Sequence, residues 1–191
     1  MHSANFGWLD WAKNGESAGT QGYGYGMQAI EIRIVEKGGE APGDTTNAFR
    51  NSQVSYSAHV ANIGWMSAVH DGITAGTEGR SLAVEALSIA KNNVECEGSI
   101  EYRAHVATLG WQEWVSDGDI AGTTGKNLAV EAIEVRLTGE LAEKYQVRYR
   151  THVQDIGWMD WVEDGETAGT TGRSLRVEAI QLELVLKNPD S

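Results

Sequence analysis

The sequence predicts an all-β protein assembled from tandem repeats, and three observations carry that expectation. Four Gly-Trp pairs, at 7–8, 64–65, 110–111 and 157–158, are spaced by 57, 46 and 47 residues. Apolar residues alternate with polar ones at Ile133, Val135, Leu137 and again at Ile180, Leu182, Leu184, the period-two signature of a half-buried strand. Glycine is abundant and proline scarce, 23 against 2, and much of that glycine falls at fixed offsets from the Trp. Such periodicity is the mark of repeat architectures.

Taken in chain order, each copy opens on a strand in which Tyr and His recur. Tyr56, Tyr102 and Tyr149 stand nine residues before the Trp, and His2, His59, His105 and His152 stand six before it. Tyr and His then point to opposite faces, because side chains three apart in a strand do so. The Trp-to-Val stretches, 111–115 and 158–162, read as the next strand, which puts the first Trp and the second Trp on opposite faces. An Asx-Gly pair follows at Asn14, Asp71, Asp117 and Asp164, the strongest short turn signal. The glycine-rich stretch after it, 168–172 in the last copy, reads as a loop. A final strand carries Glu-Ala-aliphatic at 85–87, 131–133 and 178–180, with Gln28 in place of Glu in the first copy. Residues 81–91 alone resemble a helix by composition, but their counterparts alternate, so strand is expected in all four copies. The apolar phase jumps by three between Val177 and Ile180, which predicts a bulge or bend at the Glu-Ala step. No helix is expected.

Units of this size cannot bury their own faces and must pack on one another. Three complete copies, 54–98, 99–146 and 147–187, suit one pseudo-threefold module, a β-trefoil or β-prism, over 54–187. The partial copy 1–36 lacks its Tyr strand and is set apart by 37–53, which reads as a linker. Four copies closing as a small propeller is the competing arrangement.

Composition limits function. A chain of 191 residues with 41% hydrophobic content buries roughly 70% of its unfolded surface on folding, enough for a core without disulfides or metal. The formal charge of −12 repels phosphate backbones, so nucleic acid is not an expected partner. No apolar run is long enough to span a membrane, and residues 1–17 hold no signal-peptide core. Cys96 stands alone, which rules out an internal disulfide and a Cys-based zinc cluster. Every candidate acid or base recurs at the repeat period, whereas catalysis needs one asymmetric constellation; no enzyme, cofactor or metal is expected. His70, without a repeated partner, reads as a surface residue.

The candidate ligand-binding residues are Trp11, Trp114, Trp161, Asp117, Asp164, Lys126 and Arg173. The first Trp of each copy reads as a core anchor. The second, present as Trp11, Trp114 and Trp161, is Ala68 in the second copy. Cores rarely tolerate such a loss of volume, so this ring is expected in water, where it suits stacking on the C–H face of a sugar; packing between copies is the alternative. The Asp residues are expected to shape the turn first, with a carboxylate still able to accept from vicinal hydroxyls. Arg80, Lys126 and Arg173 share one position and Glu85, Glu131 and Glu178 another. Both types are lost in the first copy, as Tyr23 and Gln28, so they are expected to pair with each other, with ligand contact second.

The string over residues 149–184, YRTHVQDIGWMDWVEDGETAGTTGRSLRVEAIQLEL, resembles the ChW repeat, "clostridial hydrophobic with conserved tryptophan". The joint Gly-Trp, Asp-Gly, Ala-Gly-Thr and Glu-Ala-Ile signature carries the likeness through three full copies and most of a fourth. The resemblance implies a secreted or surface protein of Gram-positive bacteria, and a role in recognising glycan or in adhesion. The partner so implied is a cell-surface or cell-wall polysaccharide, with other protein domains as the alternative.

Overall fold

The computed structural model describes residues 1–187. Among the described residues the chain is all-β apart from one short helix, and it divides into two compact units, Met1–Ser52 and the remainder from Gln53.

The larger unit contains three copies of one sheet. In each, two long antiparallel strands form a hairpin: Val54–Val60 with Val84–Lys91, Ile100–Val106 with Val130–Leu137, and Tyr145–Val153 with Val177–Leu186. The first strand of each pair alternates strictly. Val54, Tyr56, Ala58 and Val60 are buried while Ser55, Ser57 and His59 are half-buried, so Tyr and His lie on opposite faces. Residues 84–91, helical by composition, are strand, because their hydrophobic positions match those of the other copies. The expected irregularity falls where the phase jumps. Val84 faces Val60 and Ala86 faces His59, leaving Glu85 as the extra residue of a bulge; the same step recurs between His105 and Val106, and between His152 and Val153.

Four expectations are corrected. The Trp-to-Val stretch is not one strand: Gly110–Trp111 and Val115–Ser116 are separate pieces that pair with different ends of Ile100–Val106. The two Trp residues are therefore not related by alternation along one strand. The glycine-rich stretch is not only a loop, since Ala75–Gly76, Ala121–Gly122 and Ala168–Gly169 are short strands. A helix, Gly139–Lys144, links the last two copies, with Leu141 buried and Lys144 Nζ 2.6 Å from Glu140 Oε1; six residues are too few to show a helical period. Finally, residues 30–34 of the first copy pair with no strand among the described residues; Met27–Ala29 pairs instead, against His2–Ser3.

The short Ala-Gly strands decide how the copies meet. Ala121–Gly122 adds to the final strand of the preceding copy at Ala86 and Leu87, and Ala168–Gly169 does the same at Ala132 and Ile133. Ala75–Gly76, from the first of the three copies, adds to the last, at Ala179 and Ile180. The exchange is thus cyclic, and every sheet is completed by a neighbour. Only glycine fits here. Gly122 sits at φ +108, and a Cβ on it would lie 2.6 Å from the Ala86 Cα.

Tyrosine repeats the same cycle in the core. The Tyr102 hydroxyl accepts the Ile89 N–H and donates to the Asp119 carbonyl. Tyr149 accepts from Val135 and donates to Glu166; Tyr56 accepts from Leu182 and donates to Ile73. Each phenol thereby spans two copies, which explains why the residue recurs. Burial pushes all three phenols above the usual tyrosine range.

In the smaller unit, His2–Ser3 pairs with Gly7–Trp8 and with Met27–Ala29. Within the stretch read as a linker, Phe49–Asn51 pairs in parallel with Gly19–Gln21.

Candidate functional site

The outer faces of the last two hairpins carry the densest chemistry. On the third copy, cross-strand neighbours form two ion pairs, Arg103 to Glu134 at 2.7 Å and Arg136 to Glu101 at 2.6 Å. Trp114 lies against both cations, with guanidinium carbons 4.7 and 4.1 Å from its ring centroid. On the fourth copy Trp161 lies 4.7 Å from Arg150 and 5.1 Å from Arg148. Arg148 pairs with Glu183 at 3.0 Å, and Arg150 donates to Gln181 Oε1 at 2.8 Å. Guanidinium over indole is attractive by about 0.5–2 kcal/mol depending on desolvation. Spacing along the chain does not reveal these arginines, because each lies 11 to 22 residues from its Trp.

The second copy has none of this. Ala68 replaces the Trp, and Ser55, Ser57, Ser88 and Ala90 occupy the four sheet positions. Its hairpin nonetheless has the same register as the others. The second copy thus lacks the whole cluster and keeps the sheet, so the fold does not need it.

Trp11, in the smaller unit, keeps part of the arrangement. Arg33 lies 5.4 Å from its ring and pairs with Glu31 at 2.8 Å. Its indole walls an open cleft of about 570 Å³ together with Lys13, Arg33, Glu36, Lys37 and Pro42. Trp11, Trp114 and Trp161 are all half-buried.

The first Trp of each copy is not a core anchor. Its ring meets the histidine across the strand pair edge-on, with centroids 5.4, 5.5, 5.3 and 5.5 Å apart in the four copies. Trp8 and Trp65 are 56% and 42% exposed. Trp111 and Trp158 are half-buried because Arg103 and Arg150 lie 4.8 and 4.9 Å from them.

The glutamates also find different partners from those expected. Glu85, Glu131 and Glu178 are buried, and each carboxylate faces a histidine Nδ1: His59 at 3.1 Å, His105 at 3.1 Å and His152 at 3.3 Å. The bulge turns the glutamate back over the histidine of the paired strand, a placement that linear spacing does not reveal. Arg80, Lys126 and Arg173 are instead exposed, on the loops and not beside the glutamates. The turn aspartates do what turn chemistry asks. Asp117 and Asp164 adopt left-handed φ of 22° and 29°, and their Oδ1 atoms accept the Ile100 and Val147 N–H at 3.3 and 3.1 Å. Asp71 accepts from Gln53 and Val54 in the same way. His70 is half-buried in a short strand opposite Ser55.

The structure thus brings Trp114 and Trp161 together with arginines and acids, and leaves Asp117, Asp164, Lys126 and Arg173 outside those clusters. Among the described residues no group of His, Cys, Asp and Glu has the arrangement to hold a metal ion, and no helix is long and apolar enough to cross a membrane. No curated protein and no solved structure matches the chain. The sequence model of ChW, "Clostridial hydrophobic W", matches residues 2–36, 59–93, 105–139 and 152–185. These four matches cover most of the sequence and carry the Trp, His and Glu-Ala positions just described, so the chain belongs to the ChW repeat family.

Proposed function

We propose that the protein is a non-catalytic, multivalent carbohydrate-binding or adhesion module of a secreted or surface bacterial protein. Trp114 and Trp161 are its recognition rings. An indole offers a flat apolar plate to the C–H face of a sugar. The flanking arginines and acids offer the donors and acceptors that hydroxyls require. The observation that carries this reading is the second copy: it keeps the hairpin while losing Trp, cations and acids together, so the cluster serves something other than folding. Two equivalent sites on one rigid scaffold gain by effective concentration, so a polymer binds far better than its monosaccharide. The cyclic exchange of Ala-Gly strands favours a pseudo-threefold arrangement of the trefoil or prism kind over a propeller.

The test is calorimetric titration of cell-wall polysaccharides and their monosaccharides, guided by a glycan array. Polymer binding lost in Trp114→Ala/Trp161→Ala, and kept in Trp65→Ala, is the expected result. Binding that survives the double substitution rejects the chosen rings.

A second reading, docking of a neighbouring protein domain, is favoured by a different observation. Ile63, Leu109 and Ile156 occupy one position two residues before the first Trp, and all are exposed. An array without hits, combined with loss of a protein partner in Leu109→Ser/Ile156→Ser, supports it.

A further inference from the structure

Residues 30–34, Ile-Glu-Ile-Arg-Ile, are the counterparts of residues 133–137 in the third copy. On one face Arg33 reaches Trp11 as Arg136 reaches Trp114, while Glu31 and Arg33 pair with each other where their counterparts Glu134 and Arg136 pair across the sheet with Arg103 and Glu101. The other face is bare, with Ile30, Ile32 and Ile34 at 60%, 80% and 99% exposure. No strand among the described residues pairs with 30–34. Residues 30–34 directly follow the strand Met27–Ala29 without themselves being strand, and an apolar segment that prolongs a sheet edge is a template for pairing with another chain.

We propose that residues 30–34 pair antiparallel with the same residues of a second copy, about a two-fold axis through Ile32. In that register Glu31 stands opposite the partner's Arg33 and Arg33 opposite the partner's Glu31, while Ile30 faces the partner's Ile34. The third copy already contains this pairing within one chain: Glu134 lies opposite Arg103 and Arg136 opposite Glu101. The self-pair of Glu-Ile-Arg repeats the Glu-x-Arg against Glu-x-Arg pattern of that hairpin. Neighbouring registers that keep the isoleucines on one face set Glu31 against Glu31 or Arg33 against Arg33, so charge selects one alignment. The first 52 residues hold six acidic and four basic side chains, so this is the less charged part of a chain of formal charge −12. A two-fold contact of this kind is isologous and closes at a dimer.

The test is sedimentation velocity and light scattering on the full chain, in a concentration series up to millimolar. Wild type is expected to approach twice the chain mass of 20.7 kDa. Glu31→Arg and Arg33→Glu each set like charges opposite in both pairs and are expected to weaken dimerisation roughly tenfold or more. Mixing the two variants restores opposite charges at every position, so the mixture is expected to dimerise like wild type. Ile32→Asp is expected to give a monomer without changing either charge. Circular dichroism checks that each variant keeps its sheets. A wild type that stays at single-chain mass throughout overturns the proposal, as do single variants that dimerise as well as wild type or a mixture that fails to recover.

Discussion

The first repeat and the three later ones carry the same signature, yet they bury it very differently. Ile133, Val135 and Leu137 are 0%, 0% and 9% exposed, whereas their counterparts Ile30, Ile32 and Ile34 are almost bare. The later copies each have a Tyr strand on one edge and a neighbour's Ala-Gly strand on the other. In the first copy the equivalent segment has neither. A repeat motif is therefore not a fold in itself. It specifies one sheet's worth of surface, and neighbours supply what covers it.

The glycine of the exchanged strand breaks this comparison most sharply. In Gly122→Ala the new methyl meets the backbone of Glu85 and Ala86 at a φ of +108, so about 3–5 kcal/mol of stability is expected to be lost. The matching Gly19, at φ +128, faces only the flexible tip of Met1, so Gly19→Ala is expected to cost about 1–2 kcal/mol, mostly backbone strain. Denaturant unfolding of the two variants checks the ranking, and equal losses would remove the distinction between the units.

Tyr102→Phe comes next. It leaves the Ile89 N–H and the Asp119 carbonyl without their buried partner, an expected loss of about 1–3 kcal/mol. The same phenols set an alkaline limit. Their folded values are raised by burial, so their contribution is intact below the unfolded tyrosine value of about 10. It falls as pH climbs through the folded values, because ionisation must then open the core. Circular dichroism above pH 10 is expected to report loss of the three-copy unit, and that loss is expected to begin at a lower pH than phenol ionisation in an intact fold would require. The smallest effect is expected from Trp161→Ala, about 0.5–2 kcal/mol for the lost guanidinium contacts. The second copy, with Ala68, already lives without such a ring.

Much of this fold was legible because the chain states its motif four times. The copies identified 84–91 as strand against its own composition, located the bulge at Glu85, and put Tyr and His on opposite faces. What stayed hidden was every feature formed between distant segments. The His59 to Glu85 contact crosses a bulge, and the bulge reverses where the glutamate points. The Ala-Gly strands looked like loop because their hydrogen bonds go to another copy. The candidate site was half legible for the same reason. Ala68 flagged the second Trp as dispensable to the core, but the arginines beside Trp114 come from two different strands. The first Trp was misread because aromatic bulk suggested burial, while the break before Val115 leaves that ring lying along the surface over a histidine.

Three copies complete one another in a cycle, so none is expected to be stable alone. Amide hydrogen exchange on Tyr102→Phe tests it most directly. Protection is expected to fall by a common factor in Val54–Val60, Ile100–Val106 and Tyr145–Val153, with His2–Ser3 and Met27–Ala29 unchanged. Loss confined to the two sheets that Tyr102 touches, with Tyr145–Val153 as protected as in wild type, would contradict it.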